Sequence, residues 1–175
     1  MVPALSLWLP IVLSAVFVFI VSSIIHMLLP YHRSDFAGVP SEDEVMDSLR
    51  PFKIPPGDYV IPLAGSPEVM KSPEFNEKAR KGPVAFLTVM PNGPMAMGSS
   101  LIQWFVFCAL VGMFAAYLTG RAVGPGADYL AVFRFSGTAA FGAYALALLQ
   151  NSIWYKRKWS ATLKSVFDGF IYALL

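Results

Sequence analysis

The chain has one cysteine, two histidines and only 14% charged residues in a length of 175. A single cysteine excludes a disulfide framework and any zinc or iron–sulfur site built from several thiolates. Charge this sparse lies well below the roughly 25% of ordinary soluble domains, which argues against a free cytosolic enzyme. A formal net charge of +2 is too small for the basic footprint of a nucleic-acid binder, so no nucleic-acid partner is expected. Motifs are missing as well. There is no GxGxxG, Walker loop, HExxH or GxSxG, so no enzyme class is favoured, no catalytic residue is named and no metal site is expected. No internal repeat supports an inverted-repeat transporter.

Apolar residues make up 56% of the chain, with 14 Phe, and their arrangement predicts a membrane protein. Leu7 to Leu29 contains no Asp, Glu, Lys or Arg and at 1.5 Å per residue is long enough to cross a hydrocarbon core of about 30 Å. A secretory signal peptide needs a positive leader, a shorter apolar core and a small-residue cleavage site, so a retained anchor is the better reading. Leu101 to Thr119 is a second span and Tyr129 to Leu149, apart from Arg134, a third. The loop from Gly120 to Asp128 makes these two a hairpin. Ser160 to Leu175 is too short for the roughly 20 residues of a full span. It reads either as a short, half-inserted helix or, by preference, as a fourth helix cut off by the end of the sequence.

Between the first two spans, residues 30–100 carry nine acidic and seven basic residues with frequent Pro and Gly. Ser41-Glu-Asp-Glu44 reads as a capping box opening a helix to about Arg50. Ser66-Pro67 and Ser72-Pro73 each pair an N-cap serine with proline at the first helical position. Strands are expected over Asp58 to Leu63 and Val84 to Met90. The fold class is therefore an all-α transmembrane helical bundle of three to four spans with a small α+β cytoplasmic loop domain. Its segments are a first helix over 1–29, the loop subdomain over 30–100, the hairpin over 101–149 and a basic, aromatic interfacial stretch with the last helix over 150–175. The loop side holds Arg33, Lys78, Arg80, Lys81 and the Lys156-Arg157-Lys158 cluster, which the positive-inside rule places in the cytoplasm. The expected location is thus the cell (inner) membrane, with multiple passes.

Small residues at four-residue spacing, Gly112, Ala116 and Gly120 on one span and Ala139, Ala143 and Ala147 on the next, predict close helix packing. Lys156, Arg157 and Lys158, beside Trp154 and Trp159, suit anionic lipid headgroups. Arg134, Lys164 and Asp168 are ionisable at membrane depth, where each must find a partner. Lys164 and Asp168 are spaced for an i, i+4 pair, and Arg134 on the neighbouring span is close enough in depth to join Asp168. The functional reading of this trio is a proton or ion relay; the simpler one is an ion pair that fixes helix register.

His26 and His32 flank the inner end of the first span. Six residues apart, they do not share a face of a continuous helix, so a joint site is not expected. A haem or chlorophyll-type pigment held by His26 is the one cofactor left open, although a structural histidine is the simpler fate. Met90, Met95 and Met97 carry soft thioethers that would suit Cu(I) but read first as flexible packing.

The segments SSIIHMLLPYHRSDF, PPGDYVIP and NSIWYKRKWSATLKSVFDGFIYALL resemble a group of small uncharacterised bacterial multi-pass inner-membrane proteins over most of the chain. The resemblance implies a bacterial multi-pass membrane protein whose last helix runs past the equivalent of Leu175, and it carries over no functional residue. The leading functional expectation is a non-catalytic accessory or scaffold subunit, packed in the lipid bilayer against other membrane subunits or as a homo-oligomer. The second is a small ion or proton transporter or channel component using Asp168 with Lys164 or Arg134.

Overall fold

The computed structural model describes residues 2–175. A 3-10 turn, Ala4–Leu7, leads into α1 (Trp8–Ser23), which continues as a π-helical turn over Ile24–Leu28 and, past Leu29, a 3-10 turn over Pro30–Ser34. There follow α2 (Glu42–Leu49), β1 (Gly57–Ile61), α3 (Pro67–Lys71), α4 (Pro73–Lys81) and β2 (Ala85–Val89). The chain ends with α5 (Gly98–Ala122), α6 (Tyr129–Tyr144), α7 (Leu149–Ile153) and α8 (Trp159–Ala173). Two compact units result, one of residues up to Ala37 with Ala96–Leu175, the other Gly38–Met95. The boundary falls at Gly38 rather than at Pro30, because residues 30–35 fold back onto α8.

In the helical unit, three helices are long and apolar enough to cross a membrane: Trp8–Leu28, Gly98–Ala122 and Tyr129–Ile153. Their outer faces are apolar, with Trp8, Phe17, Leu110, Phe114 and Phe135 all about half exposed or more. In water such a continuous apolar belt would be an aggregation surface; in lipid it is the solvated face. α8, at 15 residues, is shorter. Its buried positions Ala161, Thr162, Asp168, Gly169, Tyr172 and Ala173 recur at helical spacing and form one stripe, while Leu163, Phe167 and Phe170 point outward.

Lipid gives apolar helices no drive to associate, so backbone proximity and side-chain hydrogen bonds do that work. α1 lies antiparallel to α5. A Cβ on Gly112 would come 3.3 Å from Ile11 Cγ2, and one on Gly120 would come 2.6 Å from the carbonyl oxygen of Val2. Deeper along the same contact, Trp104 Nε1 donates to Ser22 Oγ at 2.8 Å. Ala143 packs against the core, which is built from Ala15, Val18, Ile25, Cys108, Val111, Tyr144 and Tyr172. Ala147 does not pack there: α6 stops at Tyr144, a 3-10 turn occupies Leu146–Leu148, and Ala147 is exposed. The third span is accordingly broken rather than a continuous helix to Leu149. At this break α8 packs tightly. A Cβ on Gly169 would sit 2.9 Å from Ala145 Cβ and 3.1 Å from the Tyr144 carbonyl, a crossing that the sequence reading missed. Ser152 Oγ donates to Thr162 Oγ1 at 2.8 Å and closes the other end of the same interface.

In the second unit, β1 and β2 pair antiparallel from Gly57 opposite Val89 to Ile61 opposite Ala85, with Thr88 Oγ1 donating to Asp58 across the pair at 2.7 Å. Ser66 and Ser72 cap α3 and α4 through the amides of Val69 and Phe75. The capping box at Ser41 does not form. An N-cap serine needs extended dihedrals to aim its hydroxyl at the first turn, whereas Ser41 is left-handed at φ 49° and its side chain caps nothing.

Gly169→Ala is expected to destabilise the helical unit by about 1–3 kcal/mol through overpacking against backbone. Gly98→Ala, where the space is open, should leave stability nearly unchanged. Unfolding of both variants in detergent, read by circular dichroism, checks the contrast.

Candidate functional site

The polar centre of the helical unit depends on how the first span ends. The π turn over Ile24–Leu28 shifts helical register. Leu29 is then extended at φ −82° and ψ 136°, the conformation favoured before proline. Pro30 starts a tighter helix running in a new direction. His26 and His32, far apart in angle on a continuous helix, thereby come face to face, with ring centroids 4.3 Å apart. The premise that these histidines cannot share a site is overturned by the break at Leu29-Pro30.

In a 3-10 helix residues three apart eclipse, and His32 and Asp35 use that spacing. His32 Nδ1 lies 2.7 Å from Asp35 Oδ2. Lys164 on α8 donates to Asp35 Oδ1 and to Ser34 Oγ, each at 2.9 Å, and to the Tyr31 carbonyl. Burial alone would raise the Asp35 pKa, but the hydrogen bonds from His32 and Lys164 and the positive charge of Lys164 prevail and hold it below the usual carboxylate range. Asp35 is therefore an anion that can only accept hydrogen bonds, so His32 Nδ1 carries the proton. In the neutral ring, Nε2 then presents a lone pair.

That lone pair faces Asp168. His32 Nε2 and Asp168 Oδ2 are 2.9 Å apart, yet each is buried without a hydrogen-bond partner. Asp168 is only 2% exposed. Its other oxygen, Oδ1, accepts from the Tyr31 hydroxyl. His26 Nε2 lies 4.0 Å from Asp168 Oδ2 and 3.3 Å from the Tyr172 hydroxyl. Tyr172 leads on into an aromatic group, with ring centroids 5.9 Å from Trp104 and 5.6 Å from Tyr144. The centre thus contains two carboxylates and one ammonium beside two imidazoles. With His32 neutral, one buried negative charge has no counter-charge, an arrangement costly in a low-dielectric setting unless a proton or another cation joins it.

Of the predicted charged trio, the structure brings only Lys164 and Asp168 to the centre. Their i, i+4 pair is not formed: the ammonium reaches Asp35, Ser34 and the Tyr31 carbonyl, while Asp168, one turn further along, turns to Tyr31 and His32. Arg134 is exposed on α6 and does not join Asp168, whose partners all come from residues 26–32. Lys156 and Lys158 are exposed beside Trp154, Tyr155 and Trp159, and Lys156 Nζ also donates to the Ile153 carbonyl at 2.9 Å. Met97 shares a groove with Ser22, His26, Met27 and Trp104, whereas Met90 and Met95 are exposed in the other unit. Residues that sequence reasoning missed are Tyr31, Asp35 and Tyr172. The readable signal was the run Tyr31-His32-Arg33-Ser34-Asp35 directly after Pro30.

A second feature lies toward the opposite end of the bundle. A cavity of about 360 Å³ opens among α1, α5, α6 and α8, lined by apolar groups and by Ser14, Thr119, Ser136, Tyr144 and Tyr172. The Thr119 hydroxyl is buried without a partner. Set against known proteins, the chain matches no family model, no curated protein and no solved structure.

Lys164→Met leaves Asp35 buried without its ammonium, and Asp35→Asn leaves Lys164 without its carboxylate. Each single change should cost more than its share of the double change, with a coupling of about 1–3 kcal/mol between them. A double-mutant cycle of unfolding in detergent measures it, and strictly additive effects would contradict the pairing.

Proposed function

We propose that this chain is an integral membrane protein that binds and passes a cation through the centre around Asp168, with residues 30–100 and Lys156–Lys158 on the cytoplasmic side of the cell membrane. One observation carries the reading: Tyr172 belongs to both the polar centre and the cavity. Its hydroxyl is bonded to His26 in the buried centre, and its side chain lines the cavity toward the other end of the bundle. Lys164 and Asp35 form the entry end of the same chain of groups. Protons can be handed along imidazole, carboxylate and phenol groups, here 2.9 Å from His32 to Asp168, 4.0 Å from Asp168 to His26 and 3.3 Å from His26 to Tyr172, and ionisable residues inside a membrane mark such pathways. The reading differs from the sequence-based relay in its members. Arg134 is replaced by His32 and His26, and Lys164 acts through Asp35. It ranks above the accessory-subunit reading because a subunit that only packs against a partner has no use for an uncompensated carboxylate in its core.

Two measurements test it. In proteoliposomes under an imposed potential, the wild-type chain should acidify or alkalinise the lumen faster than empty vesicles. Asp168→Asn should fall to the empty-vesicle rate and Tyr172→Phe should be slowed. Equal rates for wild type and Asp168→Asn would remove the reading. For orientation, Asn92→Cys in a Cys108→Ala background should react with an impermeant maleimide only after the inner membrane is opened; labelling of intact spheroplasts would reverse the assignment.

A further inference from the structure

We infer that His26, His32 and Asp168 form a binding site for a divalent first-row transition ion of the zinc type, held through the two Nε2 atoms and Asp168 Oδ2. The inference rests on the reading of this centre as a cation site and adds a metal ion to the proton as its occupant. The three ligand atoms lie within 4.8 Å of one another. Two of their separations are 2.9 and 4.0 Å, straddling the roughly 3.3 Å expected between ligands about 2.0–2.1 Å from a tetrahedral zinc.

The surrounding bonds prepare each ligand. Asp35 takes the Nδ1 proton of His32 and so fixes the tautomer whose Nε2 lone pair points at Asp168, the carboxylate–histidine arrangement that orients metal-bound imidazoles. Tyr31 occupies Asp168 Oδ1 and leaves Oδ2 to ligate. Lys164 anchors Asp35 and keeps it as the orienting group. In the Nδ1-protonated neutral form of His32, its Nε2 lone pair and Asp168 Oδ2 stand 2.9 Å apart with no hydrogen bond between them, and a divalent ion turns their repulsion into two bonds while neutralising the carboxylate. Imidazole ligands select against calcium and magnesium, which take oxygen, and suit zinc and its neighbours.

Three protein ligands leave a coordination position open. It lies on the His26 side, where the ring is half exposed and adjoins the groove containing Ser22, Met97 and Trp104. Tyr172, which shares His26 Nε2 in the empty site, would give up that bond when the ion enters.

The test uses the full chain in mild detergent, stripped with a chelator and dialysed against zinc chloride, with cobalt(II) as the spectroscopic probe. One zinc per chain should bind, and cobalt should give the intense visible band of four-coordination. His32→Ala and Asp168→Asn should abolish stoichiometric binding, and Asp35→Asn should weaken it about 10- to 100-fold through loss of orientation. Because the first two changes fall in buried positions, His26→Ala decides where they fail to fold: its ring is half exposed, and its loss should also abolish stoichiometric binding. Absence of saturable zinc binding by the folded wild type, or binding unchanged in His26→Ala, overturns the inference. Proton flux that still depends on Asp168 in that case leaves the cation reading standing without the metal. Zinc binding without any flux leaves the metal site standing without transport.

Discussion

The buried carboxylate of Asp168 is the constraint on which the rest of the helical unit depends. An ionised group at this depth is unfavourable by several kcal/mol unless its lone pairs are taken up. On the helix that carries it, Lys164 binds Asp35 and the Tyr172 hydroxyl meets His26 instead. Partners must come from another part of the chain, and they come from the seven residues that end the first span. Tyr31 and His32 reach Asp168 only because the helix is interrupted at Leu29-Pro30. The break in α1, the return of residues 30–35 to α8 and the position of α8 against the bundle are therefore one structural solution.

Packing elsewhere supports that solution. Gly169, next to Asp168, brings the α8 backbone into contact with Tyr144 and Ala145 where α6 is broken, so the carboxylate lies inside the bundle rather than in lipid. Trp104 bonded to Ser22 ties α5 to α1 close to His26. The aromatic rings of Trp104, Tyr144 and Tyr172 pack together beside the centre. Asp168 itself is 2% exposed, and burial of this kind strengthens each electrostatic contact it makes.

Long apolar runs made the spans legible, since length and the absence of charge report them directly. Ser66 and Ser72 were legible for the same kind of local reason, and the two strands lie where alternation and proline placed them. Ser41 shows the limit of that reasoning: a matching motif does not cap when the backbone is left-handed. The site was half legible. Asp168 and Lys164 stood out because charge is rare at depth, and His26 because imidazole is rare in the chain. Their grouping was not legible, because it depends on a change of helix direction that turns a six-residue separation into a face-to-face pair. Periodicity assumes a continuous helix, and here the candidate site lies at its interruption. Asp35 was hidden among ordinary loop acids until its distance to Lys164, 129 positions along the chain, became visible.

The central claim is that His32 carries its proton on Nδ1 and turns a lone pair toward Asp168, leaving a place for a cation between them. Nitrogen NMR of the protein labelled at histidine reads this tautomer directly. The account predicts a His32 Nδ1 proton, protected from solvent and lost in Asp35→Asn, with an unprotonated Nε2 whose resonance moves when zinc is added. A proton on Nε2 with Nδ1 bare would contradict it, because His32 and Asp168 would then be a closed hydrogen-bonded pair with no place for a cation.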